Sequence, residues 1–392
     1  MSIESILLEN TILKFLEVKI DNFVILKDEI ASLEVKYNFF DFKIVGKIKF
    51  KDSFDMANAG LAKISNDNKL TISAMDKGDT KTFRTFRIVN SNVIIANERT
   101  KVYDIDFQDE ISWILQNTFT TVPITGSPVK ALVKYLNSGA CADVLVSDKI
   151  KIDYTDTAMK RTLTAPQNQN ILEFLTYALR KDNIRLYQDR TTIYIKEVKP
   201  AEYPTVINDE TGTDLVFSND VQDNLYLFKI HDFMDLKNNT EKVNKLSPVI
   251  KVNSSTSPKG QSTVTISLTD FFKDLQLNDM ELGSIQFTTG EKLETSEELA
   301  VGWQKAKLFE TFMLNQQMFI AVKGTYKYSN IGTIISTKMK GSVASNEGTL
   351  EGDRLTSGNY FVFGVSDRYL GDKMIQRLHL GRLDAQKVRE KK

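Results

Sequence analysis

The chain carries two histidines, His231 and His379, and one cysteine, Cys141. Histidine moves protons near neutral pH and binds metals, and a thiolate is a nucleophile, so these residues are the first places to look for chemistry. His231 sits in Lys-Ile-His-Asp at a strand end, and His379 alternates with Leu378 and Leu380 on the other face of a late strand. Neither has a second histidine at His-x-x-x-His or His-Glu-x-x-His spacing, so no zinc pattern exists. Both read as ordinary surface or interface histidines. Cys141, in Ser-Gly-Ala-Cys-Ala just after an expected helix stop, has no local base to lower its pKa and reads as a packed, apolar thiol. A lone cysteine allows neither an intrachain disulfide nor a cysteine metal cluster, and it suits a reducing compartment.

The glycine-rich phosphate loops Gly-x-Gly-x-x-Gly and Gly-x-x-x-x-Gly-Lys-Ser/Thr are absent, as is the Gly-x-Ser-x-Gly of a nucleophile elbow. Gly348 and Gly352 read as loop flexibility. Glycan hydrolysis needs only two carboxylates, but among 51 acids spacing cannot choose a pair. Asp104 and Asp106 share one strand face and read as a solvated face. Lys47, Lys49 and Lys51 also share one face. They could meet phosphate or an acidic partner, but a wet face that blocks edge aggregation is the preferred reading. No catalytic, cofactor-binding or metal-binding residue is assigned, and no cofactor is expected.

The elements that would position any site are mostly strands. The 392 residues call for two to four domains, and 41% hydrophobic content with 23 Phe and 13 Tyr can bury real cores. Fifty-one basic residues cancel fifty-one acidic ones, against broad nucleic-acid binding, where phosphate neutralisation dominates affinity. The N-terminus does not resemble a signal peptide, and no apolar run is long enough for a membrane helix, so no stable membrane insertion is expected.

Leu33, Val35, Tyr37 and Phe39 alternate with polar residues, as do Ile48 with Phe50, Leu70 with Ile72 and Ala74, and Tyr103 with Ile105 and Phe107. A helix-like stretch, Ser53–Ile64, interrupts them, and a bend is expected around Asn90–Asn92. Together they predict a small antiparallel barrel over 1–125. Residues 126–200 read as an inserted α+β unit. One helix starts at Ser127-Pro128 and stops near Gly139, a second runs from about Asn170 to Lys181, and a hairpin pairs Ile184–Tyr187 with Thr192–Ile195.

Lys199–Gly212 reads as a linker and Asp223–Ile230 as a strand. Asn238–Gly260 reads as a polar excursion and Val264–Leu268 as a short strand. A second barrel is expected from 201–234 and 283–392, with 235–282 as a small insertion. Within it come a strand at Gly283–Thr288, a helix capped by Thr295 and Glu298 running to Asn315, and a long strand bearing Met318 and Ile320. A Gly/Ser-bearing loop over Gly341–Gly358 and a hairpin of Tyr360–Val365 with Met374–Leu380 follow. A charged tail, Asp384–Lys392, ends the chain. Phe86–Phe107 and Tyr360–Arg382 match loosely in pattern, which suggests a duplicated barrel. The expected fold class is α+β, mainly β: two small antiparallel tube-forming β-barrels with an inserted α/β domain and a smaller insertion.

This order of parts, with Gly-Ser-Ile-Gln-Phe (283–287), the helix Val-Gly-Trp-Gln-Lys-Ala-Lys-Leu-Phe-Glu-Thr-Phe (301–312), the strand Phe-Ile-Ala-Val-Lys-Gly-Thr-Tyr (319–326) and Ser-Gly-Asn-Tyr-Phe-Val-Phe-Gly-Val-Ser-Asp (357–367), resembles the baseplate central hub protein of contractile-tailed bacteriophages and the related hub part of VgrG spike proteins. Gly358, Tyr360 and Val362 occupy the places of that family's late Gly-x-Tyr-x-Val strand. The resemblance implies a homotrimer whose six barrels form a pseudo-sixfold ring in the tail baseplate of a virion, made in the host cytoplasm. That ring adapts the sixfold tail tube protein to a threefold central spike, with the tape measure protein as a further partner. Its lumen would pass DNA without sequence-specific binding, and the spike would be a separate polypeptide. Two other readings stay open. One is a carbohydrate- or receptor-binding tail protein with a surface pocket lined by aromatics such as Tyr326, Tyr328 or Tyr360. The other is a cell-wall glycan hydrolase.

Overall fold

The computed structural model describes residues 13–53, 64–79, 81–97, 100–120, 123–144, 150–153, 161–165, 169–182, 184–190, 192–197, 215–217, 229–235, 249–252, 262–265, 316–323, 331–344, 350–352 and 358–382. Seven strands come first: β1 (Phe15–Ile20), β2 (Phe23–Ile25), β3 (Ile30–Asn38), β4 (Asp41–Asp52), β5 (Lys69–Met75), β6 (Lys81–Asn97) and β7 (Thr100–Asp109). They obey the period of two. Leu33, Val35 and Tyr37 in β3, Ile48 and Phe50 in β4, and Tyr103, Ile105 and Phe107 in β7 are buried, while Lys47, Lys49 and Lys51 face water. The bend expected around Asn90–Asn92 is instead a bulge: β6 pairs Ile88 with Phe107 and Asn90 with Asp106, leaving Val89 over. A bulge adds twist without ending a strand, so β6 runs on to Asn97.

The next stretch contains α1 (Glu110–Gln116), β8 (Ile124–Gly126), α2 (Pro128–Leu136), α3 (Gly139–Val144), β9 (Ile150–Asp153), β10 (Arg161–Leu163), α4 (Ile171–Lys181), β11 (Ile184–Asp189) and β12 (Thr192–Glu197). α2 starts at Ser127-Pro128 as expected but is capped at its end by Asn137. Gly139, with φ of 54°, opens α3 instead of stopping α2, so Cys141 lies within a helix. α4 is capped by Asn170, whose side chain accepts from the Glu173 N–H at 2.9 Å. Leu132, Leu136, Ile171, Leu175, Leu179 and Ile195 from these elements bury a core of their own.

The remaining strands are β13 (Leu215–Phe217), β14 (Lys229–Asp235), β15 (Val249–Val252), β16 (Ser262–Thr265), β17 (Gln316–Lys323), β18 (Ile334–Ala344), β19 (Leu350–Gly352), β20 (Gly358–Leu370) and β21 (Lys373–Arg382). β14 continues past Ile230, so His231 sits inside a strand, at the bulge between Ile230 and Asp232. β15 forms within the stretch expected as a polar excursion. The expected Gly341–Gly358 loop is shorter, because β18 and β19 take up part of it. The helix-like residues 54–63, the linker, the 283–288 strand, the 295–315 helix with its capping box, and the 384–392 tail lie outside the described residues.

The first and last parts of the chain share one 14-stranded sheet in the order β14-β17-β21-β20-β3-β4-β7-β6-β5-β1-β2, with β13, β18 and β19 off that path. The mainly β, antiparallel α+β class is therefore as read. The order also repeats itself: β14-β17-β21-β20 has the same connectivity pattern as β3-β4-β7-β6. Each run closes on a hairpin, β20–β21 in one and β6–β7 in the other. Each hairpin carries a bulge at one matching place, Phe363 of β20 opposite Leu380 and His379 and Val89 of β6 opposite Phe107 and Asp106. In step with it, Leu378 and Leu380 are buried where Ile105 and Phe107 are. The joint between the runs is the antiparallel β20–β3 ladder, which pairs Tyr369 with Leu33 and Val365 with Tyr37.

Candidate functional site

Among the described residues, a cluster of buried polar groups lies at that joint, where the tip of the β11–β12 hairpin meets both runs. Gln188, Asp189 and Arg190 end β11 and enter the turn, and all three are buried. Arg190 reaches β20, with its Nε 3.2 Å and its Nη2 3.3 Å from the two carboxylate oxygens of Asp367. Gln376 of β21 donates to Asp367 at 2.7 Å. Two donors of a planar guanidinium and one amide thus serve a carboxylate that water cannot reach.

A second carboxylate anchors the other side. Asp109 caps α1 by accepting from the Ser112 N–H at 2.9 Å, and it also accepts from the Ile44 N–H of β4 at 2.9 Å and from the Gln188 amide at 3.0 Å. Gln188 donates as well to the Phe42 carbonyl at 2.7 Å. Arg84 of β6 donates to the Gln188 side chain and to the Arg190 carbonyl. An apolar half completes the contact. The Phe39 ring, in the β3–β4 turn, lies 4.7 Å from Tyr187 of β11 and 4.8 Å from Phe361 of β20. Tyr187 stacks on Tyr194 at 4.9 Å.

Burial sets the electrostatics. It opposes the charge on Arg84, whose pKa is lowered, although Asp109 nearby works the other way. The Asp189 carboxyl is pushed up, first by burial and then by the negative charge of Asp367; Arg190 offsets only part of this. Arg190 is held in its charged form by Asp367 and Asp189 against the cost of burial. The three aspartates are engaged by arginines, amides and backbone N–H groups. Such an arrangement fixes the position of a hairpin; it does not present an acid to a substrate.

The residues singled out from sequence lie elsewhere. His379 is half-buried, with its ring 3.7 Å from that of Phe319 and 3.9 Å from that of Phe363, and Nε2 lies 2.8 Å from Gln317. Burial pulls its pKa down to about 4, so it is a neutral packing residue. Cys141 is buried, and burial raises its thiol to about 11. Lys47 pairs with Asp104 at 2.9 Å and approaches Asp106 at 3.8 Å, which makes that surface a laddered mixture of charges. Tyr360 is fully buried and cannot line a surface pocket; Tyr326 and Tyr328 lie outside the described residues. Among the described residues, no group of His, Cys, Asp and Glu could hold a metal ion, and no helix is long and apolar enough to cross a membrane.

Sequence reasoning missed Asp109, Arg190 and Asp367, along with α1. A signal for α1 was present: Asp109 as a cap, then Ile111, Ile114 and Leu115 at helical spacing. A charge closing the apolar run Tyr-Phe-Val-Phe-Gly-Val-Ser-Asp (360–367) was also visible, but its partner was not.

No family model matches the chain, and no curated protein is similar to it in sequence. Solved structures are similar in fold. The 43 kDa tail protein of prophage MuSo2 from Shewanella oneidensis matches with a TM-score of 0.58 at 12% identity, over 95% of this chain and 99% of that one. A tail protein from Neisseria meningitidis matches with a TM-score of 0.57 at 10% identity, over 94% and 96%. A Francisella PdpA–VgrG complex matches with a TM-score of 0.51 at 10% identity, over 99% of this chain and 56% of that one. The chain has the fold of phage tail proteins, and it shares that fold with the Francisella assembly.

Proposed function

We propose that this chain is a structural, non-enzymatic hub subunit of a phage tail baseplate. Three copies form a ring in which each contributes two tube-type units, residues 1–125 and residues 201–234 with 283–392. The α+β unit 126–200 and the segment 235–282 are insertions. Six such units match the sixfold tail tube protein on one side, and three chains match a threefold central spike on the other. The tape measure protein is a further partner, and DNA passes through the lumen without sequence-specific contacts. The protein resides in the virion and is made in the host cytoplasm.

The observation that carries this reading is the repeat in strand order, β14-β17-β21-β20 followed by β3-β4-β7-β6, within one chain. A subunit that presents one surface twice turns threefold symmetry into sixfold contacts without a second gene product. The tail-protein fold supports the same reading, as does the use of the buried acids for packing. Mass measurement of the purified protein, alone and with its spike, tests it. A particle of three chain masses with a central hole in projection images is expected. A monomer at high concentration in both conditions overturns the reading.

A further inference from the structure

The polar cluster at the seam does not balance in charge. Asp189 faces Arg190 beside it in the turn, Asp367 on β20, Arg84 on β6 and the phenol of Tyr194 on β12. Asp109, at the end of β7, and Tyr37 on β3 face those arginines in turn. Among the described residues this sets three acids against two guanidinium groups. Asp109, Asp189, Asp367 and Arg190 are buried, and the Arg84 side chain is 13% exposed. A buried acid in excess of its cations must find donors or keep its proton.

The donors are shared unequally. Asp367 takes Nε and Nη2 of Arg190 and the Gln376 amide. Asp109 takes the N–H groups of Ile44 and Ser112, the Ser112 hydroxyl and the Gln188 amide. Asp189 has the backbone N–H of Arg190, but its Oδ1 accepts no hydrogen bond, and Nη1 of Arg190 stands 3.6 Å away from that oxygen. One proton on the Asp189 carboxyl leaves two ionised acids for two guanidinium groups.

We propose that Asp189 holds this proton while the β11–β12 hairpin is docked, and that the hairpin tip and the seam form a pH-sensitive latch that opens as the proton is lost. The latch goes beyond the ring reading and does not depend on it.

Ionised, Asp189 needs the guanidinium that Asp367 already holds through two donors. In a space closed to water neither carboxylate can stand alone, so the tip lifts until water reaches one of them. The proton passes to solvent, and no covalent bond among heavy atoms changes. Tyr187, Gln188, Asp189 and Arg190 are consecutive, so their contacts with Phe39, Asp109 and Asp367 are given up together. Direction follows from linkage. Burial raises the docked Asp189 above the ordinary 3.8, with Arg190 opposing and Asp367 adding to the rise. The docked hairpin therefore binds a proton that the open one gives up. Docking is strongest below pH 3.8 and weakens as pH rises toward the docked value, by up to about tenfold per pH unit for one proton.

Isotope-edited infrared spectroscopy of the full chain, labelled with carbon-13 at the aspartate side-chain carboxyls, reads the proton. At about pH 6 ordinary aspartates are ionised. The folded parent should then show a protonated-carboxyl band that Asp189→Asn lacks. A parent without the band overturns the proposal. So does a band that persists in Asp189→Asn, which puts the proton on another acid. Hydrogen exchange of segment 184–197, corrected for the intrinsic rate, reads the latch. Its protection should fall by about tenfold or more from about pH 6 to about pH 8 in the parent and stay level in Asp189→Asn. An equal fall in both proteins overturns the latch. In the parent alone, the band must vanish over the pH range in which protection falls. A mismatch of the two ranges overturns the proposal whether or not Asp189→Asn folds.

Discussion

Arg190 and Asp367 are 177 residues apart in the chain and meet as a buried pair, with Nε 3.2 Å from the carboxylate. The contact pins the hairpin of the inserted unit to the seam where the two strand runs join. Removing the Arg190 side chain leaves the buried Asp367 carboxyl without its guanidinium and with the Gln376 amide beside it. Arg190→Ala should cost about 3–5 kcal/mol of unfolding free energy in urea titrations. Arg190→Met with Asp367→Leu should recover most of that loss, because a buried ion pair and an apolar pair differ little in net stability. A single substitution costing under about 1 kcal/mol, the value of an exposed pair, would show that the seam does not depend on it.

His379 should make stability fall on acidification. Its pKa drops from 6.5 to about 4 in the fold because its ring is buried between aromatic neighbours. Between those values the unfolded chain binds a proton that the folded chain refuses. The contribution is therefore complete above about pH 6.5 and is lost as pH falls through about 4. His379→Gln should lose less of its denaturation midpoint between pH 7 and pH 4.5 than the parent chain. Parallel curves would sink this account.

Gly46 has no room for a methyl group. A Cβ there would lie 2.3 Å from Cζ of Phe107 and 2.4 Å from the Glu34 carbonyl oxygen. The ring could turn, but the carbonyl belongs to the ladder with β3. Gly46→Ala should cost about 3 kcal/mol, at the upper end for overpacking. Adding Phe107→Leu should restore only part of it, since the carbonyl clash remains. Thermal or urea unfolding of both variants checks the order.

Cys141 should be inert in the folded protein. Its thiol is buried and its pKa is raised to about 11, so thiolate is scarce at neutral pH. Iodoacetamide should label it at least tenfold faster in denaturant than in buffer, as followed by mass spectrometry. Fast labelling of the native protein would mean that α3 opens readily.

The local pattern of this fold is legible in its residues. Leu33, Val35 and Tyr37 declare a strand because one face must leave water, and Asn170 ahead of Ile171, Phe174 and Leu175 declares a helix and its start. The bulges at Val89 and His231 are not legible, since an extra residue disturbs the alternation only slightly. The pairing of β20 with β3 is illegible for another reason. Ser366 and Glu34, which share a 2.7 Å hydrogen bond across it, are 332 residues apart, and edge complementarity leaves no period in the sequence. The polar cluster failed the same way. Asp109, Asp189 and Asp367 are three acids among 51, and only the folded chain shows which arginine each one meets.

The β20–β3 ladder also sets a timetable. β3 leaves the ribosome more than 300 residues ahead of its sheet partner, as the Glu34–Ser366 separation of 332 shows. At about 5–20 residues per second, that edge waits roughly 15–65 s for its mate. During that interval Glu34 and Lys36 are the charges that keep the strand from pairing with a neighbouring nascent chain. The nascent protein thus holds half a sheet with a guarded edge until β20 is made, and the seam between its runs closes only then.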